Sequence, residues 1–185
     1  MKQNNGGMKL HSSDMAQVGL ICAVLCIISP IAIAIPLSPV PLSFSLVAIF
    51  LSVYVSGYRR ALMGCGLYLL LGGIGLPVYA GGMAGIGRLF GPTGGYLFGY
   101  LAVIYVFGKV SDRSGSGKWL QVVGMLLGLI SLYGLGTVWL KVQSGMDLWT
   151  AFMVGTVPYI PADLVKIVFS MLVGGNIRKR IRNNR

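Results

Sequence analysis

Acidic residues are scarce in this chain of 185 residues: Asp14, Asp112, Asp147 and Asp163 stand against 15 lysines and arginines. They are scattered, so no paired carboxylates offer acid–base chemistry. The single histidine, His11, lies in a polar N-terminal stretch. That excludes histidine-built zinc sites and Ser–His or Cys–His nucleophile pairs. Cysteine is limited to Cys22, Cys26 and Cys65. The first two are spaced i, i+4, a helical spacing rather than a zinc or disulfide pattern, so they read as small apolar residues. No GxxxxGK[ST] loop occurs, and any ATP-driven step needs a partner. Neither enzyme chemistry nor a metal or cofactor is expected.

Charge of either sign is rare as well. Only 10% of residues are charged, 55% are hydrophobic, and the mean hydropathy is +0.79. That is too apolar for a soluble domain of this length. Uncharged stretches cover 15–35, 42–58, 61–87, 89–108, 119–140 and 148–162. A spanning helix needs about 20 mostly apolar residues, and the first five stretches are long enough. A sixth crossing is expected to begin near Pro161 and run to Ile177, carrying Asp163 and Lys166 into the membrane. The expected fold is an all-α integral membrane bundle of six transmembrane helices with structured outer loops. A polar segment (1–14) precedes the transmembrane domain (15–177), and a basic tail (178–185) follows it.

The net charge of +11 is placed for topology, not for nucleic acid. With both termini in the cytoplasm, 12 of the 15 cations fall inside, Arg88 and Lys141 fall outside, and Lys166 is intramembrane. Alternating basic loops are what the positive-inside rule requires. The tail RKRIRNNR serves as an anchor that also touches anionic membrane lipid. Ala32-Ile33-Ala34 looks like a signal cleavage site, but the preceding apolar run suits a retained helix.

Proline and glycine punctuate the outer side. Helix 1 is expected to end at Pro36, and Pro36, Pro39 and Pro41 stiffen the first outer connection. Helix 2 stops at Gly57, helix 3 runs from Ala61 towards Pro77, and helix 4 starts near Pro92-Thr93-Gly94. Helix 5 ends near Lys141. Asp147 to Pro161 forms a third outer segment, with Trp149 and Tyr159 as interfacial anchors. Between helices 3 and 4, 11 of the 28 residues from Gly72 to Gly99 are glycine. Free backbone at membrane depth is tolerated only when buried in protein or lining a cavity, so this tract suggests a cap over a pocket. A floppy loop is the plainer alternative, but Leu76, Val78, Tyr79, Leu89, Phe90 and Tyr96 are interleaved in it.

Asp163 and Lys166 are three residues apart and share a helix face inside an apolar segment. Ionisable residues there pair with each other or line a cavity. They are therefore either a structural ion pair or one acceptor and one donor for a polar ligand. Arg88 is the lone cation of the cap, suited to a ligand carboxylate or to solvent. Ser43 and Ser45 follow Pro41 and can bond ligand or backbone. Tyr79, Tyr96 and Tyr159 can wall an apolar ring or pack in the core. On helix 1, Gly19 and Ala23 form a small-xxx-small step for close approach of another helix, inside the bundle or from a partner.

Taken together, Val40-Pro41-Leu42-Ser43, the stretch GLPVYAGG from Gly75 to Gly82, GPTGGY from Gly91 to Tyr96, and PYIPADLVK from Pro158 to Lys166 resemble the BioY family. Its members are biotin-specific substrate-binding (S) components of energy-coupling-factor (ECF) vitamin importers. The resemblance runs in order over about residues 15 to 177. It implies six helices and capture of biotin from outside. It also implies docking onto a transmembrane coupling protein with two ATPase subunits, through the Gly19/Ala23 face. Ligand contacts are then expected from Asp163, Lys166, Tyr79, Gly82, Arg88, Gly91, Thr93, Tyr96, Ser43 and Tyr159. Many relatives carry glutamine where Ser45 stands, and Ala162 replaces a common glycine. An S component for another vitamin and a small channel are the competing readings.

Topology is directly testable. Reporter fusions at the N-terminus, at Gly115 and at the C-terminus should all report a cytoplasmic location. An external signal at Gly115 would contradict the six-crossing arrangement.

Overall fold

The computed structural model describes residues 11–33, 38, 40–113 and 117–183. Eight α-helices occur among them: α1 (Ser12–Ile28), α2 (Ser45–Ser56), α3 (Tyr58–Gly73), α4 (Ile86–Leu89), α5 (Gly94–Arg113), α6 (Lys118–Ser144), α7 (Leu148–Gly155) and α8 (Ile160–Asn183). A two-stranded antiparallel ribbon, β1 (Ala32–Ile33) with β2 (Leu42–Ser43), closes the first connection. Three described stretches are long and apolar enough to cross a membrane: Gly94–Asp112, Lys118–Ser144 and Leu148–Gly175. The apolar helices α1 and α2 are shorter, so helix length alone does not establish six crossings.

Small residues set the packing. Lipid tails are as apolar as leucine, so helices in a membrane associate through close contact rather than through water exclusion. A Cβ on Gly99 of α5 would stand 2.6 Å from Leu132 of α6, and one on Gly95 would run into Trp139. Likewise, a Cβ on Gly64 of α3 would meet Ile21 of α1 at 2.7 Å. Between α2, α5 and α6 sits an aromatic core, where Phe50 and Tyr54 both meet Phe107 edge-on, with centroids 5.5 and 5.4 Å apart. Edge-on geometry places the positive ring edge on the negative face.

Several sequence-based boundaries hold, and others shift. Gly57 ends α2 at φ 77°, and α5 begins at Gly94 after Pro92. Helix 1 stops at Ile28 instead of reaching Pro36, because Pro30 removes a backbone donor. Pro36 and Pro39 lie outside the described residues. The third outer segment is not an irregular connection. Asp147 caps α7 by accepting from the Trp149 N–H at 3.0 Å, and a 3-10 turn at Val157–Tyr159 leads into α8. Tyr159 is buried within it rather than placed at an interface, whereas Trp149 is exposed. The last helix also continues past Ile177 to Asn183.

The packing makes a stability prediction. Gly95→Val forces Cγ atoms against Trp139 and should cost at least about 1–3 kcal/mol, seen as a lower Tm in detergent. Gly66→Ala, whose added methyl meets nothing within 4 Å, should hold or raise Tm.

Candidate functional site

A pocket forms where the first two turns of α2, α5 and α8 meet the middle of α6. Its walls include Ser43 and Leu46, Tyr96 and Tyr100, Leu132 and Tyr133, Gly155, Tyr159, Asp163 and Lys166. Asp163 and Lys166 are 5% and 7% exposed. The Lys166 ammonium donates to Asp163 Oδ1 at 2.7 Å and to the Ser43 carbonyl oxygen at 2.7 Å. The Tyr133 hydroxyl donates to Asp163 Oδ2 at 2.7 Å. Both readings of the pair thus describe one object: an ion pair that also lines a cavity. Lys166 spends two of its three N–H donors on these bonds, and the third has no partner among the described residues.

Beneath the pocket runs a chain of short hydrogen bonds. Ser45 Oγ lies 2.5 Å from Ser43 Oγ and 2.5 Å from Ser29 Oγ, and Ser29 Oγ lies 2.6 Å from the Tyr68 hydroxyl. This chain fixes β2, and with it the carbonyl that holds Lys166. Ser43 therefore serves the pocket through its backbone, and Ser45, wholly buried, braces it. Tyr159 donates to the Val40 carbonyl oxygen and ties the 3-10 turn before α8 to the segment that leads into β2. The Tyr96 ring lies over Gly136 and Gly155, and its hydroxyl is buried with no hydrogen-bond partner in the described structure.

Five expected site residues come together here: Ser43, Tyr96, Tyr159, Asp163 and Lys166. The other five line no part of this pocket. Tyr79 is buried against Gly72 and Tyr68 and donates to the Leu69 carbonyl at 2.6 Å. Gly82 supplies φ 73° to a 3-10 turn. Gly91 accepts from Trp139 Nε1 at 2.9 Å. Thr93 is buried at the corner where α5 begins. Arg88 lies on α4, where partial burial pulls its guanidinium below the usual value. The glycine tract is tied to the turn after α1: the Gly81 N–H donates to the Pro30 carbonyl at 3.2 Å.

Tyr100 and Tyr133 were missed by sequence reasoning. Tyr100 follows Tyr96 by one helical turn, a spacing that puts both on one face. Tyr133 is a hydroxyl in the middle of an apolar run and needs a buried partner; only the fold shows that the partner is Asp163.

The interior of the pocket is about 50 Å³. That holds a few waters, whereas small-molecule sites usually enclose roughly 300–1,000 Å³. A larger ligand must displace part of the wall. Away from the pocket, Gly19 and Ala23 sit on the exposed face of α1, and a Cβ on Gly19 would meet nothing within 4 Å. That face is not packed inside the bundle.

The BioY family model matches residues 1–183. A biotin transporter BioY from Thermotoga maritima is 38% identical over 147 residues, covering 80% of this chain and 86% of its own. Another from Rhodobacter capsulatus is 34% identical, covering 89% of this chain and 92% of its own. A crystal structure of the S-component for biotin from an ECF-type ABC transporter superposes with TM-score 0.82 at 26% identity, over 90% of this chain and 91% of that one. These matches share a fold of membrane helices and a transporter component rather than an enzyme. The chain belongs to the BioY family.

Proposed function

We propose that this chain is the substrate-binding subunit of an ECF-type importer, capturing biotin at the outer face of a bacterial cell membrane. The observation that carries the reading is the buried Asp163–Lys166 pair in the pocket wall. The two charges cancel, so this wall suits a neutral head with both donors and acceptors. The ureido group of biotin has two N–H donors and one carbonyl oxygen. Asp163 accepts an N–H, and the remaining Lys166 donor meets the carbonyl. Tyr96 and Tyr100 flank the apolar thiophane ring. The valerate carboxylate then lies nearer the N-terminal ends of α2, α5 and α8, where helix dipoles favour negative charge.

Such a site discriminates well, because an analogue lacking the donors leaves buried groups unpaired. Transport itself belongs to a transmembrane coupling protein and two ATPase subunits, docked on the Gly19/Ala23 face. Both termini lie in the cytoplasm, and the basic tail meets anionic lipid.

Two measurements test this reading. Asp163→Asn keeps the shape but turns one acceptor into a donor, so biotin affinity should fall by roughly ten- to a hundredfold. Thermal stability of the same preparation separates this from an unpaired Lys166 that unfolds the protein. A well-folded variant with unchanged affinity would remove Asp163 from the site, and the double variant with Lys166→Met shows whether the pair acts as a unit. Separately, Ala23→Phe should weaken co-purification with the coupling protein and leave biotin binding nearly intact. Normal assembly would place the docking face elsewhere.

A further inference from the structure

We infer that a second site lies on the membrane-facing side: a groove between α6 and α7 that holds one acyl chain of a phospholipid bearing a primary ammonium. It is formed by Ile130, Gly134 and Val138 of α6, Leu148 and Phe152 of α7, and Trp149 at its end. The volume is about 830 Å³. The groove exists because the left-handed Gly145 (φ 66°) turns the chain back after α6, and because Gly134 leaves its floor open. A Cβ there would meet nothing within 4 Å.

The polar atoms of the floor are already engaged. Thr137 Oγ1 and Thr156 Oγ1 lie 2.9 Å apart in a mutual hydrogen bond, and the Tyr133 hydroxyl turns away to Asp163. The surface left is apolar and offers water nothing to bind, so the occupant is hydrocarbon. Both walls belong to stretches long and apolar enough to cross the membrane, which places acyl chains alongside them.

The rim supplies the charge complementarity. Lys141 follows Thr137 and Val138 at i+4 and i+3, so it continues the groove stripe by one turn, and it is exposed. Asp147, at the start of α7, lines the same end. One cation and one anion at the mouth match a phosphate and an ammonium that can donate hydrogen bonds. Phosphatidylglycerol offers the same phosphate to Lys141 but no cation to Asp147, and a quaternary ammonium has no N–H to offer it. The chemistry therefore selects phosphatidylethanolamine.

The test uses the purified full chain, incubated with phosphatidylethanolamine, phosphatidylglycerol or phosphatidylcholine of identical acyl chains and read by native mass spectrometry. Wild type should retain one phosphatidylethanolamine, about fivefold above the other two lipids. Asp147→Asn, which keeps a side-chain oxygen to cap α7, should erase that preference, whereas Lys141→Gln should lower retention of all three lipids alike. Gly134→Leu, which fills the floor, should lower retention of every lipid roughly tenfold at unchanged Tm. Val138→Trp is an independent way to fill the groove should the leucine variant fold poorly. Equal retention of all three lipids by wild type, or full retention by both filled variants, would overturn the assignment. Retained lipid with lost binding to the coupling protein in Gly134→Leu would make the groove a protein contact and overturn it equally. Because the readout is lipid, its failure leaves the biotin reading untouched.

Discussion

A lysine ammonium buried in a membrane bundle is the constraint to which the rest of this structure answers. Lys166 carries a charge that hydrocarbon cannot solvate, and an unpaired charge there costs several kcal/mol on common insertion scales. It is satisfied by Asp163 on its own helix and by the carbonyl of Ser43, 123 residues away in sequence. That second bond ties α8 to the ribbon that closes the first connection. Ser43 is in turn held by Ser45, and Ser45 by Ser29 and Tyr68, so α1, α2, α3 and α8 are linked through one buried polar chain. Tyr133 completes Asp163 from α6. A half-satisfied network would be worse than an apolar core, which is why so many hydroxyls converge on one place.

Glycine and aromatics supply the complementary constraint. Where α5 and α6 run together, Gly95, Gly99 and Gly136 lie under Trp139, Leu132 and Tyr96. Each glycine makes room for a ring or a branched chain from the facing helix. The same device that brings the helices close also seats Tyr96 over Gly136 and Gly155, and so shapes one wall of the pocket. Packing and binding are therefore not separate layers in this protein. A methyl added at either glycine would move the tyrosine as well as the helix.

Much of this was legible beforehand, and the gaps have physical causes. Asp163 and Lys166 announce themselves, since charge in an apolar run is expensive and their spacing fixes a shared face. Gly57 and Pro92 mark boundaries because their backbone chemistry is local. Tyr133 could not be assigned, because its partner is 30 residues away and helical pattern carries no information on which faces meet. The glycine tract was read as the roof itself. Glycine density reports that the backbone bends tightly there, not what it bends around, and of the tract only Tyr96 lines this pocket. The segment after Asp147 looked like a loop because it is short and interrupted by Pro158. The aspartate cap and the apolar contact with α6 nonetheless make it helical.

The central claim is that this pocket holds one biotin per chain. It is tested most directly by solubilising the protein from biotin-grown cells and identifying, by mass spectrometry, the small molecules that co-purify with it. The account predicts biotin at close to one molecule per chain, absent from an Asp163→Asn, Lys166→Met preparation that is still folded. Recovery of a different vitamin at that stoichiometry, or of no bound small molecule from intact wild-type protein, would contradict it.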